Sequence, residues 1–86
     1  MSAAFDVKRI PPGSKLELYI KASCPYCQAA MQYYDDAKTP YITHDAQNDK
    51  RAREAMFAYT NGDPTVPAIV LDGRYVQSGW GTPPRG

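Results

Sequence analysis

A chain of 86 residues has room for one domain with an economical core, since so short a chain buries only about 60% of the surface its unfolded form exposes. Ten basic and nine acidic side chains leave a net charge of +1, which gives no reason to expect nucleic acid or an anionic membrane as the main partner. No apolar run approaches the ~20 residues that cross a bilayer, and Met1–Asp6 lacks an apolar stretch behind a basic start. The reading is therefore of a chain without a signal peptide, in the reducing cytoplasm.

Residues 1–14 carry mixed charge, and Pro11-Pro12-Gly13 separates them from the first strong strand signal. Two readings stand: a flexible arm, or an extra extended segment that Phe5, Val7 and Ile10 pin against the domain. The domain proper is expected over 15–82, with 83–86 as a tail.

Leu16–Ile20 reads as a strand, with Leu16, Leu18 and Ile20 on one face and Tyr19 on the other. Lys21-Ala22-Ser23 is a connector. Pro25 suits the first turn of a helix, where its missing N–H costs nothing. Ala30, Met31, Tyr34 and Ala37 then recur at helical spacing, while Gln28, Gln32, Asp35 and Asp36 face water. Thr39-Pro40 ends this helix near Ala37 or Lys38.

Tyr41–His44 reads as a second strand. Either Asn48 or Asp49 caps a helix over Lys50–Tyr59, with Ala52, Ala55, Met56 and Tyr59 inward, and Asn61-Gly62 stops it. Val66–Leu71 is a strand run interrupted by Pro67. Asp72-Gly73 signals a two-residue hairpin turn into Arg74–Gln77. With three glycines and two prolines, Ser78–Gly86 cannot be a helix. Strand–helix–strand–helix–hairpin is an α/β pattern too short for a large doubly wound sheet, which leaves a small sheet with helices against it.

The chain's two cysteines, Cys24 and Cys27, bracket Pro25-Tyr26 at the junction of strand and helix. This is the layout expected of a redox dithiol. A thiol at a helix N-terminus meets unpaired N–H groups and the positive end of the dipole, and both favour the thiolate. Cys24, just outside the helix, is expected to be the more exposed and more acidic thiol, and so the nucleophile. Cys27, one turn in, is the buried resolving partner that displaces the leaving thiol from a mixed disulfide. Lys21 adds positive charge nearby. Half of a zinc site is the competing reading, but such sites usually want four Cys or His ligands, and only His44 is available besides the thiols, so no metal is expected. His44 itself reads as a surface or edge residue.

Cys24-Pro25-Tyr26-Cys27, followed by Thr65-Val66-Pro67 and by a glycine after a short hairpin, resembles the glutaredoxin family, from about Lys15 to Thr82. The resemblance implies a thioredoxin fold: a small four-stranded mixed sheet with flanking helices and a cis peptide before Pro67, facing the dithiol. It also implies glutathione as co-substrate, with the Val66 backbone pairing with the cysteine part of glutathione. Lys21, Tyr26 and Thr65 would meet the glycyl end, and Gly79, Trp80 and Thr82 would line the other end. The implied partners are glutathione and disulfide-containing or glutathionylated proteins, for a monomer or weak dimer.

The sequence departs from that family in two places. Ser78 replaces the first of the usual paired glycines, and no acidic residue comes after it to meet the glutathione ammonium group. The Ser78-Gly79-Trp80 order is similar to the glutaredoxin-like hydrogen donors of ribonucleotide reductase, which take electrons from thioredoxin reductase, although their dithiol usually lacks the Pro-Tyr pair. A third helix typical of the family has no counterpart here. Trp80 folding back as a plug, or a partner subunit, would cover the surface it leaves. A third reading is a binding module, in which glutathione and Cys24 thiolates from two subunits hold a bridging [2Fe–2S] cluster.

Overall fold

The computed structural model describes residues 6–81 and 83–86. Its elements are β1 (Leu16–Ile20), α1 (Pro25–Asp36), β2 (Ile42–Asp45), α2 (Lys50–Thr60), β3 (Ala68–Leu71) and β4 (Arg74–Ser78). They form one four-stranded sheet in the order β2-β1-β3-β4, with β1 parallel to β2 and antiparallel to β3, and β3 antiparallel to β4. This is the thioredoxin-type mixed sheet expected from the sequence, flanked by two helices, with no third helix among the described residues.

Local chemistry explains the boundaries. Pro25 opens α1 and Ala37 caps it, so Ala37 is exposed rather than one of the inward set. Of the two capping candidates it is Asp49 that accepts from Arg51 and Ala52 at the start of α2, while Asn61 leaves the helix in the left-handed conformation at φ 57°. Thr60 joins the helix and is buried, its hydroxyl donating to the Asp63 carbonyl at 2.9 Å. The expected Tyr41–His44 strand is shifted by one residue, because pairing with β1 runs from Ile42 to Asp45. Pro67 lacks the N–H a ladder needs, and β3 begins after it, at Ala68. Asp72 and Gly73 both have positive φ, 51° and 79°, as a tight hairpin turn requires.

The alternation of β1 splits the core in two. Tyr19 joins Ala52, Met56 and Val70 on the α2 side of the sheet, a cluster that extends to Cys27 of α1. Leu16 and Leu18 join Ala30, Tyr34, Ile69, Val7 and Trp80 on the α1 side. Trp80 is 8% exposed and packs at 5.5 Å and 5.8 Å, between ring centroids, from Tyr34 and Tyr33. Val7 is buried beside it, and its carbonyl accepts from the Tyr34 hydroxyl. Val7, Ile10 and Trp80 thus help fill the α1 side of the sheet. Phe5, expected to act with Val7 and Ile10, lies outside the described residues.

His44 lies on the edge strand β2, as the sequence reading allows, and is tied to its neighbour. Its Nε2 lies 2.9 Å from Glu17, and its ring stacks on Tyr19 with centroids 4.6 Å apart. Burial pushes the Glu17 carboxyl up, but hydrogen bonds from His44 and Lys15 outweigh it and hold the group below the usual carboxylate range.

Candidate active site

The end of β1 delivers the chain into a short loop that is stapled in two ways. Ala22 N–H donates to the Gln47 side chain at 3.0 Å, and Cys24 N–H donates to the Lys21 carbonyl at 3.2 Å. Cys24 then takes the N-cap position of α1 with extended backbone angles, φ −92° and ψ 112°. Its sulfur does what a capping oxygen normally does: it accepts from the Cys27 N–H at 3.1 Å. The same thiol donates to the Val66 carbonyl at 3.7 Å, a weak bond across the groove. Both cysteines are free thiols.

The order of exposure agrees with the sequence expectation, but its scale does not. Cys27 is 0% exposed and Cys24 only 7%, so the expected exposed thiol is itself buried. Thr65-Val66-Pro67 stands opposite the helix and faces Cys24, with Val66 also buried and the Val66–Pro67 peptide in the cis form. Burial pushes the Cys27 thiol up to about 12, and its hydrogen bond with Cys24 adds to the shift.

The groove around Cys24 encloses about 460 Å³. Lys21, Cys24, Pro25 and Tyr26 form one wall, and Thr65 and Val66 the other. Thr65 is held by Asp63, whose carboxylate accepts its N–H at 2.9 Å; the Thr65 side chain and then this N–H keep the carboxyl below its ordinary range. Pro67 is buried behind this wall, and its carbonyl accepts from Gly79 N–H at 2.8 Å. Gly79 sits at φ +89°, and a Cβ there would come within 2.8 Å of the Arg85 nitrogen, so both conformation and space demand glycine.

One of the sequence's site candidates, Trp80, does not join this groove. The Trp80 side chain belongs to the core on the α1 side, because its ring finds Tyr33, Tyr34 and Val7 there. Thr82 lies outside the described residues. Conversely, Asp63, Gln47 and Gly86 shape the groove and its loops, and the sequence reading does not single them out. Asp63, two residues before Thr65, carries an Asx-turn signal; Gln47 and Gly86 carry none. A larger recess of about 630 Å³ between residues 10–14 and 37–40 contains neither thiol. Among the described residues no group of three His, Cys, Asp or Glu side chains is placed to hold a metal ion, and no helix is long and apolar enough to cross a membrane.

Residues 16–76 match the family described as glutaredoxin. A probable glutaredoxin of Synechocystis sp. is 30% identical over 63 residues, which cover 73% of this chain and 72% of the relative. Among solved structures, a point variant of the thioredoxin-like protein BC3987 superposes with a TM-score of 0.66 at 26% identity, over 74% of this chain and 81% of that one. Glutaredoxin C1 from a Populus tremula × tremuloides hybrid, in its holo form, gives a TM-score of 0.63 at 18% identity over 84% of this chain and 73% of that one, a likeness of fold.

Proposed function

The chain belongs to the glutaredoxin family, and from that premise we propose that it is a glutathione-dependent thiol–disulfide oxidoreductase of the Cys-Pro-Tyr-Cys type, with Cys24 as nucleophile and Cys27 as resolving thiol. The observation that carries this reading is the position of the Cys24 sulfur at the helix cap, 3.1 Å from the Cys27 nitrogen, on the wall of a groove. A thiolate there keeps the N–H donor and faces the positive end of the α1 dipole.

With a glutathione mixed disulfide, the Cys24 thiolate attacks the glutathione sulfur. The old S–S bond breaks, the substrate thiolate leaves and takes a proton from water, and Cys24 carries the glutathione. A second glutathione thiolate attacks that bond, releasing oxidised glutathione and restoring Cys24. With a protein disulfide, Cys24 forms the mixed disulfide and Cys27 displaces the substrate thiol. The resulting Cys24–Cys27 disulfide is reduced by two glutathione molecules. Forming the mixed disulfide removes the hydrogen bond and the charge of Cys24 that help hold the proton on Cys27. Burial, the larger cause, persists, so reaction of the nucleophile eases ionisation of Cys27 only in part.

Lys21, Tyr26, Thr65 and Val66 line the groove in which glutathione would lie, and Pro67 and Gly79 support it from behind. The expected setting is the cytoplasm and the expected partners are glutathione and disulfide-bearing or glutathionylated proteins. The test is turnover of a mixed disulfide of glutathione with a small thiol, driven either by glutathione with glutathione reductase or by thioredoxin reductase. Glutathione-driven turnover that survives Cys27→Ser and is lost in Cys24→Ser is expected. Turnover only with thioredoxin reductase, lost in both variants, overturns the glutathione reading. A visible absorbance band on anaerobically purified protein would instead favour the cluster-binding alternative.

A further inference from the structure

After Trp80 the chain turns back on itself. Trp80 N–H donates to the Arg85 carbonyl at 2.7 Å, and Arg85 N–H returns to the Trp80 carbonyl at 2.9 Å, a two-residue antiparallel bridge. Trp80 is anchored in the core, so this bridge fixes the direction in which residue 86 leaves. It leaves into the groove: Gly86 lines the same walls as Cys24, Thr65 and Val66. The fit is backbone against backbone. A Cβ on Gly86 would stand 2.6 Å from the Thr65 methyl carbon and 2.9 Å from the Val66 carbonyl carbon, and would collide with the Val66 carbonyl oxygen. That oxygen is also the acceptor of the Cys24 thiol. The nucleophile is 7% exposed although its neighbours Ser23, Pro25 and Tyr26 are exposed.

We propose that residues 83–86 are a built-in gate on the groove, an intramolecular competitor seated on the Thr65–Val66 backbone that a disulfide substrate must displace to reach Cys24. The proposal rests on this groove being the substrate groove. Its basis is steric, because two backbones cannot occupy the face of Val66 at once. The seat is the end of the groove at which Thr65 would meet the glycyl group of glutathione, so the gate selects against small tripeptide substrates more than against a protein that brings additional binding surface. A tail seated in roughly 80–90% of molecules lowers apparent affinity by about 5–10-fold relative to an open groove.

The test uses the full chain and two variants that unseat the tail by different means. Gly86→Leu places side-chain atoms where the Val66 carbonyl stands. Arg85→Pro removes the N–H that donates to Trp80. Cys24 alkylation by iodoacetamide is followed by mass spectrometry, and far-UV circular dichroism checks that the fold is kept. Both variants are expected to be alkylated about 5–10-fold faster than wild type, and KM for the glutathione mixed disulfide is expected to fall by a similar factor with kcat little changed. Alkylation within twofold of wild type in Gly86→Leu overturns the gate, as does a faster rate found only in a variant that has lost the native spectrum. Faster alkylation with no glutathione turnover in any form keeps the gate and rejects the glutathione reading. Unchanged alkylation beside normal glutathione turnover rejects the gate alone.

Discussion

The sulfur of Cys24 accepts the backbone N–H of Cys27 at 3.1 Å, so one cysteine of the pair is capped by the main chain of the other. The donor belongs to the peptide and not to the thiol, so it survives any substitution of the Cys27 side chain except proline. Cys27→Ser should therefore alkylate at Cys24 at a rate within about threefold of wild type, whereas a lost cap is worth about 1 kcal/mol and would change it more. Reduction of a protein disulfide, which needs the second sulfur, should fall at least 100-fold in the same variant by order of magnitude, measured in an insulin-reduction assay.

Stability should fall in alkali, and Cys27 should be one cause. The Cys27 thiol is raised in the folded state from an ordinary 9.0 to about 12. A folded pKa above the unfolded one means that the native state holds the proton more tightly. The stabilisation is complete below about pH 9 and is lost as pH climbs toward about 12. Burial raises Tyr34 in the same direction, so the Cys27→Ser variant should show a shallower fall in urea midpoint between about pH 8 and about pH 10.5, not a flat one. The measurement is made in reductant to keep both thiols free.

Trp80 closes the α1 side of the core, and its removal should be felt throughout. Trp80→Ala should cost about 3–5 kcal/mol in urea unfolding, a large part of the 5–15 kcal/mol typical of a domain. Lys8 lies 5.5 Å from the Tyr33 ring centroid and 5.9 Å from that of Trp80. Lys8→Met should cost only about 0.5–1 kcal/mol, because the cation–π contact is partly solvated. A near-neutral Trp80→Ala would mean that residues 7–10 can cover the sheet alone.

Asp63 has no direct part in the chemistry but holds Thr65 in place. Asp63→Ala should loosen the Thr65–Val66 wall and raise KM for a glutathione mixed disulfide by roughly 3–10-fold, the scale of one charge-assisted hydrogen bond. Its kcat should change less than twofold, and Asp63→Asn, which keeps an acceptor, should recover most of the loss. A fall in kcat with an unchanged KM would place Asp63 in the chemical step instead.

How much of the molecule is legible in its sequence depends on the range of the interaction that decides each feature. The strand at Leu16–Ile20, the proline-opened helix, the Asn61-Gly62 stop and the Asp72-Gly73 turn are each written in a few neighbouring residues, because propensity, capping and turn chemistry act over three or four positions. Composition alone misplaces the strand around His44 by one residue, since its ends are set by pairing with β1. His44 reads as a surface or edge residue and does lie on an edge strand, but nothing near it in sequence announces its contacts with Glu17 and Tyr19 on the neighbouring strand.

By itself, then, the sequence determined the elements and the dithiol at a helix cap, both consequences of local spacing, while the proline wall that faces the dithiol was implied only by the resemblance to a family. Tertiary structure decided where Trp80 points, that Val7 fills the space beside it, that Cys24 is buried, and that Gly86 sits on Val66. Those facts depend on contacts between residues far apart in sequence: residue 7 against the α1 side of the sheet, residue 80 on the same side, residue 86 against 66. Such contacts are set by which apolar surface the folded sheet leaves uncovered, and that surface exists only once the strands have paired.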